Sequence, residues 1–424
     1  MNSPLTQDSL FSESPTEVNS APSGLSHSDK CVPNRRFMMH RKHASHIFFA
    51  GLLCLFGSSI AKASCSNTIT SFGAVGDGVT NDVAAIQKTF NFAAENHCTV
   101  LIPDGTFAYS GTITATGITV SGNGAASILM PTNFASSSLI ITGNGTSISN
   151  LSMKSAAKTR LFTPWSAMIW VNNATNYTVH NVLINGSPSV GIYSLNSSGG
   201  QILNNTVENT LADSISQIEG SNNITVRGNR IVNAGDDGVS NNTYVGDPSP
   251  VHNITVQGNT VVHNLWGRGL EVSGGNTFTF SGNYVDNTDG AADMYISSEN
   301  GSYQTQNTSN VTVSGNAFLN GGPNQGTALI WSEGSNQVIS GITLNGNQFR
   351  NPKNAAIQLA GAGAETRILI ENNTDYSTSA FGTYSNGKSG TETGNRVLGP
   401  SAYTTPLVAP GGGCNFSGCS SSQQ

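Results

Sequence analysis

Three short pieces of this sequence carry most of its chemistry. They read Leu211-Ala212-Asp213-Ser214-Ile215-Ser216, Gly235-Asp236-Asp237-Gly238-Val239-Ser240 and Trp266-Gly267-Arg268-Gly269-Leu270-Glu271. Each follows an Asn-anchored turn and opens a short run of alternating apolar and polar residues. Charged residues make up 10% of the chain, against about 25% in ordinary globular proteins. Three carboxylates and a guanidinium at one phase of a repeat therefore read as a site. Carboxylates on neighbouring segments repel, so at least one should hold its proton near neutrality. A protonated acid beside an ionised base is what cleavage of a glycosidic bond by water requires. Clustered carboxylates also suit calcium, and calcium holding a uronate would instead support elimination or epimerisation. That chemistry needs a Lys or Arg base and a welcome for an acidic polymer. From Gly269 through Phe349 there is no Lys or Arg, and Arg268 alone is little positive charge for such a partner.

For these residues to meet, positions two dozen residues apart must lie side by side. A repeat supplies the means. Units of the form Asn-x-Thr-Val-x-Gly-Asn recur as NNITVRGN, HNITVQGN, NTFTFSGN, SNVTVSGN and GITLNGN. They end at Asn229, Asn259, Asn283, Asn316 and Asn347, with weaker units at Asn181, Asn204 and Asn373. A spacing in the twenties to low thirties, built from β-formers and turn residues, predicts a solenoid with one coil per repeat. Asn at the corners tolerates left-handed geometry and can bond to the Asn of the next coil. Coils stacked about 4.8 Å apart would set residues of equal phase into ladders. One ladder reads Ala167, Val190, Asp213, Asp237, Arg268, then Ala292 or Asp293, Thr327 and Ala355, charged only in its middle. A solvated surface stripe would scatter its charges along the whole length. Consecutive strand residues face opposite sides, so Asp236 and Asp237 can share a cleft only if Asp236 lies in the turn, where Gly235 allows it.

The ends read differently. Residues 1–37 are polar and patternless, and Met38 or Met39 is the expected start. Residues 38–63 have the charged, apolar and small-residue order of a signal peptide, cleaved after about Ala63. The apolar run is too short to span a bilayer, so no membrane insertion is expected after cleavage. Without residues 1–63, 12 Lys+Arg and 20 Asp+Glu remain, a net charge of −8 with no basic stripe; nucleic acid is not a partner this favours. Four cysteines remain, and in an exported protein their order pairs Cys65 with Cys98 and Cys414 with Cys419.

FGAVGDGVTNDVAAIQ followed by VLIPDGTF resembles the opening of the pectate-lyase-like superfamily of right-handed parallel β-helices. The resemblance implies an all-β solenoid over residues 64–375 with a short N-terminal capping helix. That helix would be capped by Asn81 or Asp82, with Ala85, Ile86, Phe90 and Phe92/Ala93 on its apolar face. Residues 376–424 would be a C-terminal cap and flexible tail. The Asp residues carry a second resemblance. Asp213, then Gly-Asp-Asp-Gly, then a Gly-x-Gly strand are similar to the catalytic region of polygalacturonases. They are closer to bacterial α-1,3-glucanases of the mycodextranase type. The polygalacturonase pattern implies Asp236 as general acid, with Asp213 and Asp237 activating water. Its His of Gly-His-Gly falls on Arg268, and its later Arg-x-Lys has no counterpart, which puts galacturonan in doubt. Asn287-Thr288-Asp289-Gly290 stands after the Asp pair rather than before it and is a decoy.

Around the cluster, Trp266, Tyr244, Tyr295 and Trp331 could stack on sugar faces, though core or turn packing accounts for each equally well. Glu271, Glu299 and Glu333 could bind hydroxyls. The expectation is an exported, monomeric glycoside hydrolase with catalytic Asp213, Asp236 and Asp237. Arg268, Trp266, Tyr244, Glu271 and Tyr295 would bind a polysaccharide, a neutral glucan ahead of galacturonan. No metal or cofactor is expected, calcium entering only if the chain is a polyuronate lyase or epimerase. A non-catalytic carbohydrate-binding surface β-helix is the third reading.

Overall fold

The Asn repeat sets the path of the chain. At each repeat a Gly, or an Asn at Asn204 and Asn372, takes positive φ, as at Gly258 and Gly282 (both 60°), and turns the next Asn into the interior. In the computed structural model, which describes residues 65–404 and 408–416, these Asn form one ladder, buried from Asn205 to Asn373. It runs Asn205, Asn229, Asn259, Asn283, Asn316, Asn347, Asn373 and Asn395. The backbone N–H and Nδ2 of each donate to Oδ1 of the next at 2.9–3.2 Å. The second Nδ2 hydrogen goes to a backbone carbonyl, as from Asn229 to Ile202 (2.9 Å). Both amide donors and the acceptor are thus satisfied away from water. The ladder member in its coil is Asn205, not Asn204, which stands beside it at a left-handed outer corner (φ 53°). Asn181 is an outer corner in the same way (φ 55°).

Successive coils then add strands to two long sheets, of 23 and 11 strands among the described residues, most coils giving two to the larger and one to the smaller, and the paired strands are parallel. The fold is a parallel β-helix. The eleven-stranded sheet runs in chain order from Ile113–Thr116 to Ala380–Tyr384. Inside it, Ile169, Ile192, Ile215, Val239, Leu270, Met294, Ala328 and Ile357 stack in register and are buried. Each such aliphatic contributes about 1.5–3 kcal/mol by leaving water. Two residues further along each strand, the column changes character. Val171 is followed by Ser194, Gln217 and Asn241 before Val272 and Ile296 restore the apolar stack. Strand Val239–Asn241 meets Leu270–Ser273 through the single pair Val239–Leu270. There Asn241 Nδ2 donates to the Glu271 carbonyl at 2.9 Å, closing the gap in the ladder.

One α-helix, Val83–Asn96, covers the first coil, and Ile86, Thr89, Phe90 and Ala93 form its buried face. Phe92, expected on that face, is 37% exposed and packs against Phe72 instead. Asn81 Oδ1 accepts from the Val83 N–H (3.3 Å). Asp82 turns away to accept from Val75 and Gly76 (2.7 and 3.1 Å). Cys65 and Cys98 form a disulfide. Residues 1–64 and Cys419 lie outside the described residues.

Strand pairing carries on past Asp375, where the sequence repeat fades, to Arg396–Val397. The chain then folds back along the coils it has built. Pro410 accepts from Thr260 Oγ1 (2.9 Å), Gly413 donates to Gly228 (2.8 Å), Cys414 to Thr206 Oγ1 (3.1 Å) and Asn415 to Asn181 Oδ1 (2.6 Å). Phe416 reaches Gly124. This segment straps many coils, beyond the last one that the sequence led us to expect it would cover.

Candidate active site

Asp213, Asp237 and Arg268 close the turns that lead into three successive strands of the eleven-stranded sheet. The Ser214 N–H donates to the Asp237 carbonyl (2.9 Å) and the Gly238 N–H to that of Arg268 (2.8 Å), so the three are consecutive rungs. Asp236 lies in the turn itself, which lets it share a side with Asp237. One carboxylate oxygen from each of Asp213, Asp236 and Asp237 lies within 4.8 Å of the others.

Each carboxylate has different company. Asp213 accepts from Ser240 Oγ (2.6 Å) and from the Asp237 N–H (3.2 Å). Burial, then the charges of Asp237 and Asp236, push its pKa up to about 7 against those two donors. Asp237 accepts from the Arg268 N–H at 2.6 Å. Burial and then Glu271, which repels it and shares a hydrogen bond with it, raise its pKa well above the usual carboxylate range. Asp236 Oδ2 is 2.7 Å from Arg160 Nη2, and its Oδ1 is buried with no hydrogen-bond partner among the described residues.

Below the triplet, Arg268 joins the remaining acids. Its guanidinium lies 3.3 Å from Glu299, 3.7 Å from Glu271 and 3.9 Å from Asp237, and 4.4 Å over the Tyr295 ring. Tyr295 in turn donates to Glu299 (3.0 Å). Two expectations change here. Tyr295 is 1% exposed, its face covered by Arg268, so it is no sugar platform. Arg268, expected to bind substrate, is engaged with protein carboxylates. Glu271 is also buried and accepts from Ser273 Oγ (3.1 Å), on the cleft floor. Trp266 is half exposed and Tyr244 half-buried. Asp293 turns inward against Gly321, fully buried and away from the triplet.

Several participants were not legible in sequence. Arg160 arrives from an irregular loop of an earlier coil, so the cleft holds two guanidiniums where sequence counting found one. Asn264, fully buried, ties the turn by donating to the carbonyls of Asp236 (2.5 Å) and Arg268 (2.6 Å). Trp165, 47% exposed, meets Trp170 edge-on two rungs before Asp213. Gly267 was visible only as part of a Gly-x-Gly strand. A Cβ there would sit 2.5 Å from Asp237 Oδ1 and closer still to Asp236 Oδ1, so only glycine lets the next coil close over the pair.

A parallel β-helix with an acidic cluster along one row of turns defines the class. The chain belongs to the family described as rhamnogalacturonase A/epimerase, pectate lyase-like, whose model matches residues 66–293. Among solved structures it is similar to the Agl-KA catalytic domain, at 24% identity over 80% of this chain and 67% of that one, TM-score 0.65. It is also similar to the catalytic domain of a GH87 α-1,3-glucanase in complex with nigerose, at 20% identity over 77% and 64%, TM-score 0.64. The A-module of an Azotobacter vinelandii mannuronan C-5 epimerase matches at 14% identity over 79% and 100%, TM-score 0.55. At these identities the likeness is one of fold. No curated protein sequence matches the chain significantly.

Proposed function

We propose that this chain is an exported, monomeric glycoside hydrolase acting on a neutral polysaccharide, an α-glucan ahead of galacturonan. The observation that carries the reading is three carboxyl groups within 4.8 Å of one another in environments that divide protons unequally. Asp213, half-buried with its pKa pushed up to about 7, suits a general acid working near neutrality. Asp236, ion-paired with Arg160, suits the base that activates water. Asp237 holds the Arg268 backbone, and burial and the neighbouring Glu271 raise its pKa well above the usual carboxylate range. The polygalacturonase pattern distributes the roles otherwise, with Asp236 as acid; that order requires Arg160 to leave Asp236 when substrate enters.

Charge supports a neutral polymer. Asp213, Asp236, Asp237, Glu271 and Glu299 face two guanidiniums, each already paired with protein carboxylates. A uronate would meet net repulsion. The donor set also argues against calcium at the triplet. Both oxygens of Asp213 and one each of Asp236 and Asp237 already accept from protein donors, whereas calcium takes six to eight oxygens, so the ion would have to compete with those donors. Exposed Trp165 and Trp266 stand on either side of the triplet along the row of turns, where flat faces suit pyranose rings. The fold likeness to an α-1,3-glucanase holding nigerose makes glucan the first substrate to try, and the Cys65–Cys98 disulfide fits an oxidising compartment.

The test is reducing-end release from α-glucans, galacturonan and alginate, with and without chelator. Chelator-resistant release from a glucan is expected, and Asp213→Asn or Asp236→Asn should lower it by about 10²–10⁴-fold. An aryl glycoside with a good leaving group should restore activity to the acid variant only. Rescue of Asp236→Asn would reverse the two roles. Ultraviolet-absorbing unsaturated products that vanish with chelator would establish the lyase reading instead.

A further inference from the structure

A second concavity lies on the strands that precede the turns, in the coils that follow Arg268. It encloses about 420 Å³, within the roughly 300–1,000 Å³ of small-molecule sites. Tyr284, Tyr376 and Tyr403 wall it, and Asp286, Asn320 and Arg350 form its rim. The register Tyr284–Ala317, Ala317–Gln348 and Gln348–Thr374 spreads these residues over four successive coils, with Tyr403 added by the returning C-terminal segment.

The groups are arranged for a hydroxyl-rich ligand. The Arg350 guanidinium stacks 4.0 Å from the Tyr403 ring centre, and among the described residues it makes no ion pair. Tyr376 meets Tyr403 edge-on, centroids 5.3 Å apart. Asp286 accepts from the Tyr284 hydroxyl (3.1 Å) and from Asn320 Nδ2 (2.7 Å). The rim thus offers the Arg350 donors and the Asp286 acceptor beside the Tyr284 and Tyr376 rings, the Tyr403 face being covered by Arg350. A phosphate or uronate would meet Asp286, and an apolar ligand would strand the rim. Sugar rings, with apolar faces and hydroxyls that both donate and accept, satisfy both halves.

We propose that this pocket is a non-catalytic binding site for a neutral saccharide. It deepens the hydrolase reading, since the ligand would be the same polymer, yet it can be tested apart from it. The pocket lies two to five coils from Asp237, about 10–24 Å at the usual coil spacing. A chain held there raises its own effective concentration at the cleft without new contacts in the cleft.

The experiment uses the full chain carrying Asp237→Asn, so that polymer is bound and not cut. Co-sedimentation with insoluble α-1,3-glucan, starch and immobilised polygalacturonate is compared before and after adding Arg350→Ala or Tyr376→Ala. Retention on a neutral polymer should weaken about ten-fold with either change, at an unaltered thermal midpoint. Unchanged retention, no retention by the parent, or a loss confined to polygalacturonate overturns the proposal. Wild-type protein that binds glucan through Arg350 yet releases no reducing ends overturns the hydrolase reading alone. Hydrolysis by wild type with retention indifferent to Arg350→Ala overturns the pocket alone.

Discussion

Replacing Asp213 with Asn tests the site without knowledge of its substrate. In the folded chain burial and two neighbouring carboxylates raise the Asp213 pKa from 3.8 to about 7. The folded pKa lies above the unfolded one, so the associated stability is complete below pH 3.8 and is lost as pH rises through 7. At about 1.36 kcal/mol per tenfold change in proton affinity, the difference amounts to about 4 kcal/mol above pH 8. Part of the repulsion belongs jointly to Asp236 and Asp237, so Asp213→Asn should gain about 2–4 kcal/mol there. The Asn carbonyl can still accept from Ser240. At pH 4 the two proteins should be equally stable, because Asp213 is protonated when folded. The assay is thermal and denaturant unfolding followed by circular dichroism from pH 4 to 9. A variant less stable than wild type at pH 9, or a difference that ignores pH, would falsify the claim that Asp213 is strained within an acidic cluster.

Gly267→Ala should abolish activity, since the added methyl meets the Asp236 backbone and the Asp236 and Asp237 carboxylates; unimpaired turnover on the identified substrate would show that the pair is not where the reaction occurs. Arg160→Ala should lower turnover about ten-fold, because the Asp236 carboxylate loses the ion pair that fixes its position. Arg160→Lys should restore most of it, and turnover indifferent to both changes would dismiss Arg160 from the site.

The parts of this molecule readable from sequence are those that repeat. Asn229 through Asn347 announce their own period, and the period alone places Asp213, Asp237 and Arg268 on adjacent rungs. The helix showed in its apolar spacing, and Cys65 paired with Cys98. What repeats only approximately was misplaced by one residue, as with Asn204 for Asn205, because both neighbours are Asn and only one can face inward. What does not repeat was invisible. Arg160 sits in a loop with no phase relation to Asp236, and nothing in its sequence context points to the cleft. Tyr295 illustrates a different limit. Strand alternation does place it on the cleft side, but whether its ring is open depends on where the long Arg268 side chain comes to rest.

The returning C-terminal segment changes how such a stack can come apart. A solenoid held only by contacts between neighbouring coils behaves as a one-dimensional chain whose ends fray first. Here residues 410–415 are bonded to Thr260, Gly228, Thr206 and Asn181, so the mechanical terminus of the chain and the terminus of the stack are different places. The last coils cannot unpeel freely, since the segment that leaves them is anchored in the middle. Deleting residues 408–424 should therefore speed amide exchange in the strands from Leu369 to Val397, although residues 410–415 are bonded to earlier coils. Exchange there at the full-length rate would mean that the strap decorates the coils without holding them.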